Sequence, residues 1–303
     1  MGLSECPDQF DDDAHIQAVI SNDYSLVKCY LQKGSSGLVN YRDPTRGWTA
    51  LHVASWKGFE EIAYYLIRRT DIDLNIRTFE DEWSALHRSI AYGHFQIAEA
   101  LVEAGATLDL QDHQGFSALM AMTLKRPQDP ASTQLISMLI KNGANLDLKN
   151  KEGRSALILA VLNNHSRVAK VLLKNGANID LQDNYGYTAL MYAVEGGYAT
   201  ALTLLEYGAN FELFGIDGAD TLKLAIFHGR LDIVSIIAIV KYGSIIESAK
   251  NFYLERKSRY SSEELTTGED IAHEEAQGRN ALGERESSLP DVVRAAPRWK
   301  NPL

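Results

Sequence analysis

Cysteine is nearly absent from this chain, with two residues, Cys6 and Cys29, among 303. They form no CxxC pair and no ladder of evenly spaced thiols, so neither a zinc site nor a disulfide framework is expected, which fits a reducing compartment. Long apolar runs are missing as well. The longest, Ile233 to Val240, falls far short of the roughly 20 residues that cross a bilayer. The first ten residues carry Glu5 and Asp8 where a secretion signal would be apolar, so no such signal is expected. Basic charge is also short, 30 Lys and Arg against 40 Asp and Glu, for a net charge of −10. Phosphate backbones are bound by clustered cations, so a nucleic-acid partner is not expected. No Gly-x-x-x-x-Gly-Lys-Ser/Thr loop, no His-x-x-x-His pair and no His/Cys cluster at ligand spacing occurs, so no cofactor and no metal is expected. A Ser-His-Asp triad is decided by geometry and not by composition. No nucleophile and base stand out, and the chain reads as non-catalytic. These exclusions leave a protein partner of unknown identity, no membrane, a monomer, and the cytoplasm or nucleus as its place.

What the chain has in abundance is repetition. Gly47-Trp-Thr-Ala-Leu-His-Val-Ala is followed by Trp83-Ser-Ala-Leu-His-Arg-Ser, Gly115-Phe-Ser-Ala-Leu-Met, Gly153-Arg-Ser-Ala-Leu-Ile-Leu-Ala and Gly186-Tyr-Thr-Ala-Leu-Met-Tyr-Ala, with a weaker copy at Gly218-Ala-Asp-Thr-Leu-Lys-Leu-Ala. Leu51, Leu86, Leu119, Leu157, Leu190 and Leu222 are spaced by 32 to 38 residues, a period of about 33. Some 19 residues after each Leu a Gly-Ala pair recurs, at Gly105, Gly143, Gly176 and, one residue early, Gly208. Thr49, Ser84, Ser117, Ser155 and Thr188 stand where a hydroxyl caps a first helix. Ile62, Ala63, Leu66 and Ile67, or Val168, Val171, Leu172 and Leu173, recur at helical spacing on a second one.

On these strings the chain resembles the ankyrin-repeat family over residues 12–243, with Ala where the family usually places Pro. The resemblance implies an all-α solenoid of helix-turn-helix units joined by β-hairpin loops, about seven units including caps, stabilised by stacking of neighbours. Residues 1–11 are expected to be a flexible N-terminus, and 12–34 an N-terminal capping unit. Five units start near Asp43, Arg77, Gln111, Lys149 and Gln182, and a degenerate last one runs from about Phe214 to Gly243. Two prolines in the 124–133 stretch predict a loop, read either as a tolerated insertion or as a partner-specific contact. Ile245, Ile246, Ala249, Phe252 and Tyr253 predict a capping helix over 244–260. The Ser- and Glu-rich composition of 261–303 predicts a disordered tail, whose Trp299 reads as a docking motif or as an ordinary terminal residue.

The resemblance also implies where a partner sits: a concave face of hairpin tips and first-helix ends. It further implies that His52 and His87 hydrogen-bond between repeats, and His94 and His165 are read the same way. In this numbering the concave face includes Trp48, Trp83, Phe116, Arg154 and Tyr187 after the first turn, and Trp56, Lys57 and Tyr92 before the second. Aromatics make up 9% of the chain, yet three of its four Trp fall in these sets. Such a row has the composition of a binding hot spot, and stacking between neighbouring hairpins would place aromatics there equally well. Contact is the expectation for Trp48, Trp56, Trp83 and Tyr92. Glu80, Asp81 and Glu82 beside Arg42, Arg46 and Lys57 look like an interface rim or a solvated face. The predicted function is therefore an adaptor or scaffold, with a regulatory or inhibitory subunit of an enzyme, or an enzyme whose site is unrecognised, as the alternatives.

Overall fold

The helices come in pairs, in chain order: α1 (Asp12–Ile20) with α2 (Tyr24–Lys33), α3 (Ala50–Lys57) with α4 (Glu60–Ile67), α5 (Ala85–Tyr92) with α6 (Phe95–Glu103), α7 (Ala118–Leu124) with α8 (Pro130–Lys141), α9 (Ala156–Leu162) with α10 (Ser166–Lys174), and α11 (Ala189–Glu195) with α12 (Thr200–Glu206). The seventh pair is α13 (Thr221–Phe227) and the helical residues 231–239. This is a computed structural model, and it describes residues 12–33, 37–124, 130–196, 199–239 and 241. The expected flexible N-terminus (1–11), capping helix (244–260) and tail (261–303), and residues 125–129 of the predicted loop, lie outside the described residues.

From α3 onward the first helices begin where the sequence supplies a cap. The hydroxyls of Thr49, Ser84, Ser155 and Thr188 accept from the amides of His52, His87, Ile158 and Met191, and in the last unit the Asp220 carboxylate accepts from Lys223. That satisfies an amide which the helix itself cannot pair. Helices α1, α3, α5, α7, α9, α11 and α13 then stack in one row, and α2, α4, α6, α8, α10 and α12 in a second behind it. Residues between the rows form one apolar core in which Leu51, Ile62, Leu66, Leu86, Ile90, Ile97, Leu101 and Leu119 are fully enclosed. Each such side chain contributes about 1.5–3 kcal/mol relative to exposure. α10 shows the division on one helix: Val168, Ala169, Leu172 and Leu173 are buried, while Arg167, Lys170 and Lys174 face solvent.

The loops that project from the first row, called fingers here, are tight turns and not the ladders of a regular hairpin. Among the described residues the only β pairing is an isolated antiparallel bridge between Phe214 and Asp220. Each turn closes on itself through a backbone bond, such as Asp43 to the carbonyl of Trp48 or Asp183 to that of Tyr187. The fingers are also tied to one another. Arg42, Arg77, Gln111, Lys149 and Gln182 each donate to the backbone carbonyl of the equivalent residue one unit on, at 2.6, 2.6, 2.8, 2.7 and 2.9 Å. A parallel series runs lower down, where Asn75, Asp109, Asp147 and Asp180 accept from the amides of Thr107, Asn145, Asn178 and Asn210.

Close approach fixes the finger glycines. At Gly153, with φ of 78°, an added Cβ would lie 2.6 Å from the amide nitrogen of Asn184 in the next finger. Unit 3 departs from this pattern. Glu82 occupies the glycine position at φ of 54°, a left-handed conformation that costs a residue bearing a Cβ about 1–2 kcal/mol.

One expectation is corrected. Cys29, on α2, is disulfide-bonded, whereas the cysteine spacing pointed to no disulfide. Spacing rules test for local motifs, and a bridge between distant residues leaves no such mark. Cys6 lies outside the described residues.

Candidate finger-face site

The site is built from three positions of the repeat. One precedes the helix-start Leu by three residues (Trp48, Trp83, Phe116, Arg154, Tyr187), one follows it by two, and one is the end of the first helix (Trp56, Lys57, Tyr92). In units 2 and 3 they converge. The ring of Trp48 meets that of Trp56 edge-on at 5.3 Å, and Trp56 meets Tyr92 at 6.1 Å. Arg88, two residues after Leu86, places its guanidinium over Trp48 at 4.2 Å and over Trp83 at 4.6 Å. It is only 5% exposed, and its charge is met by Asp81 at 2.5 Å while its Nε has no hydrogen-bond partner. Burial pulls its pKa down, with the Asp81 carboxylate opposing. The indole N–H of Trp83 donates to Asp112 at 3.1 Å.

Trp48 and Trp83 are thus half-buried walls around Arg88. The outward surface is made by Tyr92, which is 49% exposed, and by the exposed Lys57, whose ammonium lies 3.8 Å from the ring centre of Trp56, itself half-buried like Trp48 and Trp83.

Units 5 and 6 form a second group. Arg154 pairs with Glu152 at 2.6 Å and lies 3.7 Å from Asp183, whose side chain is fully buried. The Tyr192 hydroxyl donates to Asp183 at 2.6 Å, and the Tyr187 hydroxyl donates to Asp217 at 2.8 Å. The two rings lie 5.3 Å apart. Both phenols are pushed well above their ordinary pKa, first by burial and then by the carboxylates they bond. Phe116 belongs to neither group: it is half-buried against the core, and its carbonyl accepts from His87.

Sequence reasoning missed Arg88, Tyr192 and the carboxylates Asp112, Asp183 and Asp217, and it placed Asp81 in a rim or solvated face without its pairing to Arg88. Arg88 did carry a signal, since a charge stands where Val53, Ala121 and Leu159 stand in other units.

Four of the histidines, His52, His87, His94 and His165, are structural ties. Nδ1 of His52 accepts from the Thr49 amide, so its Nε2 carries the proton and donates to the carbonyl of Trp83 at 3.0 Å. Burial lowers its pKa to about 4 and lowers that of His87. His94 donates to the carbonyl of Trp56, and His165 to that of Thr123. Among the described residues no group of His, Cys, Asp and Glu could hold a metal, and no helix is long and apolar enough to cross a membrane.

A family model described as ankyrin repeats (3 copies) matches residues 15–112 and 128–215. The chain is 34% identical over 101 residues to a Xenopus laevis protein named inhibitor of Bruton tyrosine kinase, a stretch that is 33% of this chain and 8% of that protein. It is 32% identical over 97 residues to the palmitoyltransferase AKR1 of Lachancea kluyveri, covering 32% of this chain and 13% of that one. The match therefore spans a small fraction of either relative's length. Among solved structures, the ankyrin repeat domain of Bcl-3, described as a member of the IkappaB protein family, superposes with a TM-score of 0.61 at 24% identity. That likeness covers 75% of this chain and all of that domain, and it bears on the fold alone.

Proposed function

The chain belongs to the ankyrin-repeat family, and from that premise we propose that it is a non-catalytic adaptor or scaffold whose finger and first-helix face holds a protein partner. Ankyrin arrays are protein-interaction modules, and stacked units offer an extended face for that purpose. The observation that carries the reading is the group made by the exposed Tyr92 and Lys57 around the half-buried Trp56, held in place from behind by Trp48, Arg88 and Trp83. Aromatic anchors on a fixed base lose little side-chain entropy on binding. Phe116, Arg154 and Tyr187 extend the same face toward units 4 to 6, Arg154 and Tyr187 being fixed by their own carboxylates. The net charge of −10 disfavours a nucleic-acid partner. The chain acts as a monomer, without catalysis.

A second reading is favoured by the relatives named as inhibitors of a tyrosine kinase: the same face covers an enzyme and regulates it. Both readings use the same surface.

The test compares the partner retained from cell extract by the wild type, by a Trp56→Ala/Tyr92→Ala variant and by Lys170→Glu on the opposite helix row, with circular dichroism confirming that each is folded. The expected outcome is one discrete partner, kept by wild type and Lys170→Glu and lost by the double variant. Retention by all three would sink the reading.

A further inference from the structure

We propose that residues 244–260 of this chain form a helix that lies on the exposed apolar end of unit 7 and closes the array there, whatever the finger face binds. One repeat position shows why that end needs a cover. Four residues after the helix-start Leu stand Ser55, Ile90, Thr123, Val161 and Val194, each 0% exposed. The first helix of the following unit packs against each of their helices, α3 with α5, α5 with α7, α7 with α9, α9 with α11 and α11 with α13. In unit 7 the same position is Ile226, and it is 61% exposed. Phe227, Leu231 and Ile239 of that unit are exposed with it. Three positions earlier in the first helix, the buried His52, His87, Met120, Ile158 and Met191 give way in unit 7 to the exposed Lys223. A lysine there needs no cover. Ile226, Phe227, Leu231 and Ile239 do, since terminal units of a repeat array remain soluble by presenting a polar outer face, and each apolar side chain left in water forgoes the transfer free energy that burial provides. Half of this end is therefore polar and half apolar, the pattern of a face covered in part.

The chain supplies the cover itself. Ile245, six positions beyond Ile239, opens a stripe of Ile245, Ile246, Ala249, Phe252 and Tyr253 at helical spacing, with Glu247, Ser248, Lys250 and Asn251 between its members. A helix with that pattern has one apolar and one polar side, as a last layer needs with core beneath it and water outside. Gly243-Ser244 just before the stripe is a composition that ends one helix and caps the next. A segment tethered by so few residues meets the end of the array at an effective concentration of about millimolar. A free partner or a second copy of the chain has to compete with it from far lower concentration.

The test uses the full-length chain and reads amide exchange by mass spectrometry, the fluorescence of the apolar-surface dye ANS, and sedimentation. Phe252→Asp, in the apolar stripe, should speed exchange in residues 221–227 and 231–239 at least tenfold and raise ANS fluorescence at least threefold, with α9 unchanged. Lys250→Glu, on the polar side of the same segment, should do neither. Ile226→Asp, at a position the stack itself leaves open, should release the segment in return, so that amides 245–253 exchange at least tenfold faster. Exchange and dye binding that match wild type in both Phe252→Asp and Ile226→Asp overturn the proposal. A wild-type chain that sediments as a dimer, and whose residues 221–239 lose protection on dilution, overturns it in favour of a second copy as the cover. A wild-type chain that already binds ANS as strongly as Phe252→Asp overturns it in favour of an end left open to another protein.

Discussion

Units 3 and 6 fill one slot of the repeat in opposite ways. Two residues after the helix-start Leu, unit 3 places a cation, Arg88, between the rings of Trp48 and Trp83. Unit 6 places a ring, Tyr192, beside the cation Arg154 and the ring of Tyr187, and anchors its hydroxyl on Asp183. The slot is a bridge from a first helix to its own finger and to the finger of the unit before. It takes a flat group whose polarity is set by those two fingers, and where they ask for nothing it is apolar, as with Val53 and Leu159. The two halves differ a second way. His52 and His87 follow the Leu in units 2 and 3, whereas Ile158 and Met191 do so in units 5 and 6. The first half is thus held by buried bases and a buried guanidinium, the second by apolar packing and carboxylate-bonded phenols.

The largest effect should come from acid. His15 is fully buried with neither ring nitrogen hydrogen-bonded, and burial lowers its pKa from 6.5 to about 4, with His52 at about the same value. A base whose folded pKa is depressed binds its proton more readily when unfolded, so its stability contribution is complete above about pH 6.5. It is lost as pH falls towards 4, at up to about 3 kcal/mol per such histidine. Amide exchange across pH 7 to 4.5, corrected for intrinsic rates, should show α1, α3 and α5 losing protection before α9 and α11. Equal loss in both halves would dissolve the contrast.

His15→Leu should reverse part of that loss. Counted back from the left-handed turn residues Asn22 and Gly58, His15 stands where Leu51 stands in unit 2. Leu there removes an unsatisfied buried imidazole, and we expect a gain of about 2 kcal/mol at pH 5 in urea denaturation, shrinking at pH 7.5. A gain independent of pH would mean that packing and not protonation limits the cap.

The slot itself is tested by Arg88→Ala and Tyr192→Phe. The first opens a gap between two indoles and should cost roughly 2–3 kcal/mol. The second removes one hydrogen bond to a buried carboxylate and should cost about 1–2 kcal/mol. Equal costs would show that the guanidinium is not the keystone of unit 3.

The smallest effect concerns the finger turn. Glu82→Gly relieves a left-handed residue but adds freedom to the unfolded chain and removes an exposed ion pair with Arg77. The net gain should be under about 1 kcal/mol in thermal unfolding. A loss larger than that would assign the turn's geometry to Arg77.

The repeat, the helix pairs and their caps were legible because they are local: a hydroxyl before Ala-Leu, an apolar stripe and a period act on neighbouring residues whatever the rest of the chain does. The inter-repeat role of His52 and His87 was legible through the resemblance. What sequence could not order was the aromatic row, since Trp48, Trp56 and Trp83 look alike along the chain and differ only in what lies behind them. The structure separates them through Arg88, Asp112 and Lys57. The finger ladder from Arg42 to Gln182 and the disulfide at Cys29 were likewise hidden. Sequence by itself determined an array of stacked helix pairs, because periodicity and capping are set by residues a few positions apart. Only the tertiary structure decided which charges are paired and which aromatic faces remain open, because those depend on side chains about 30 residues apart being brought within hydrogen-bonding distance by the stack.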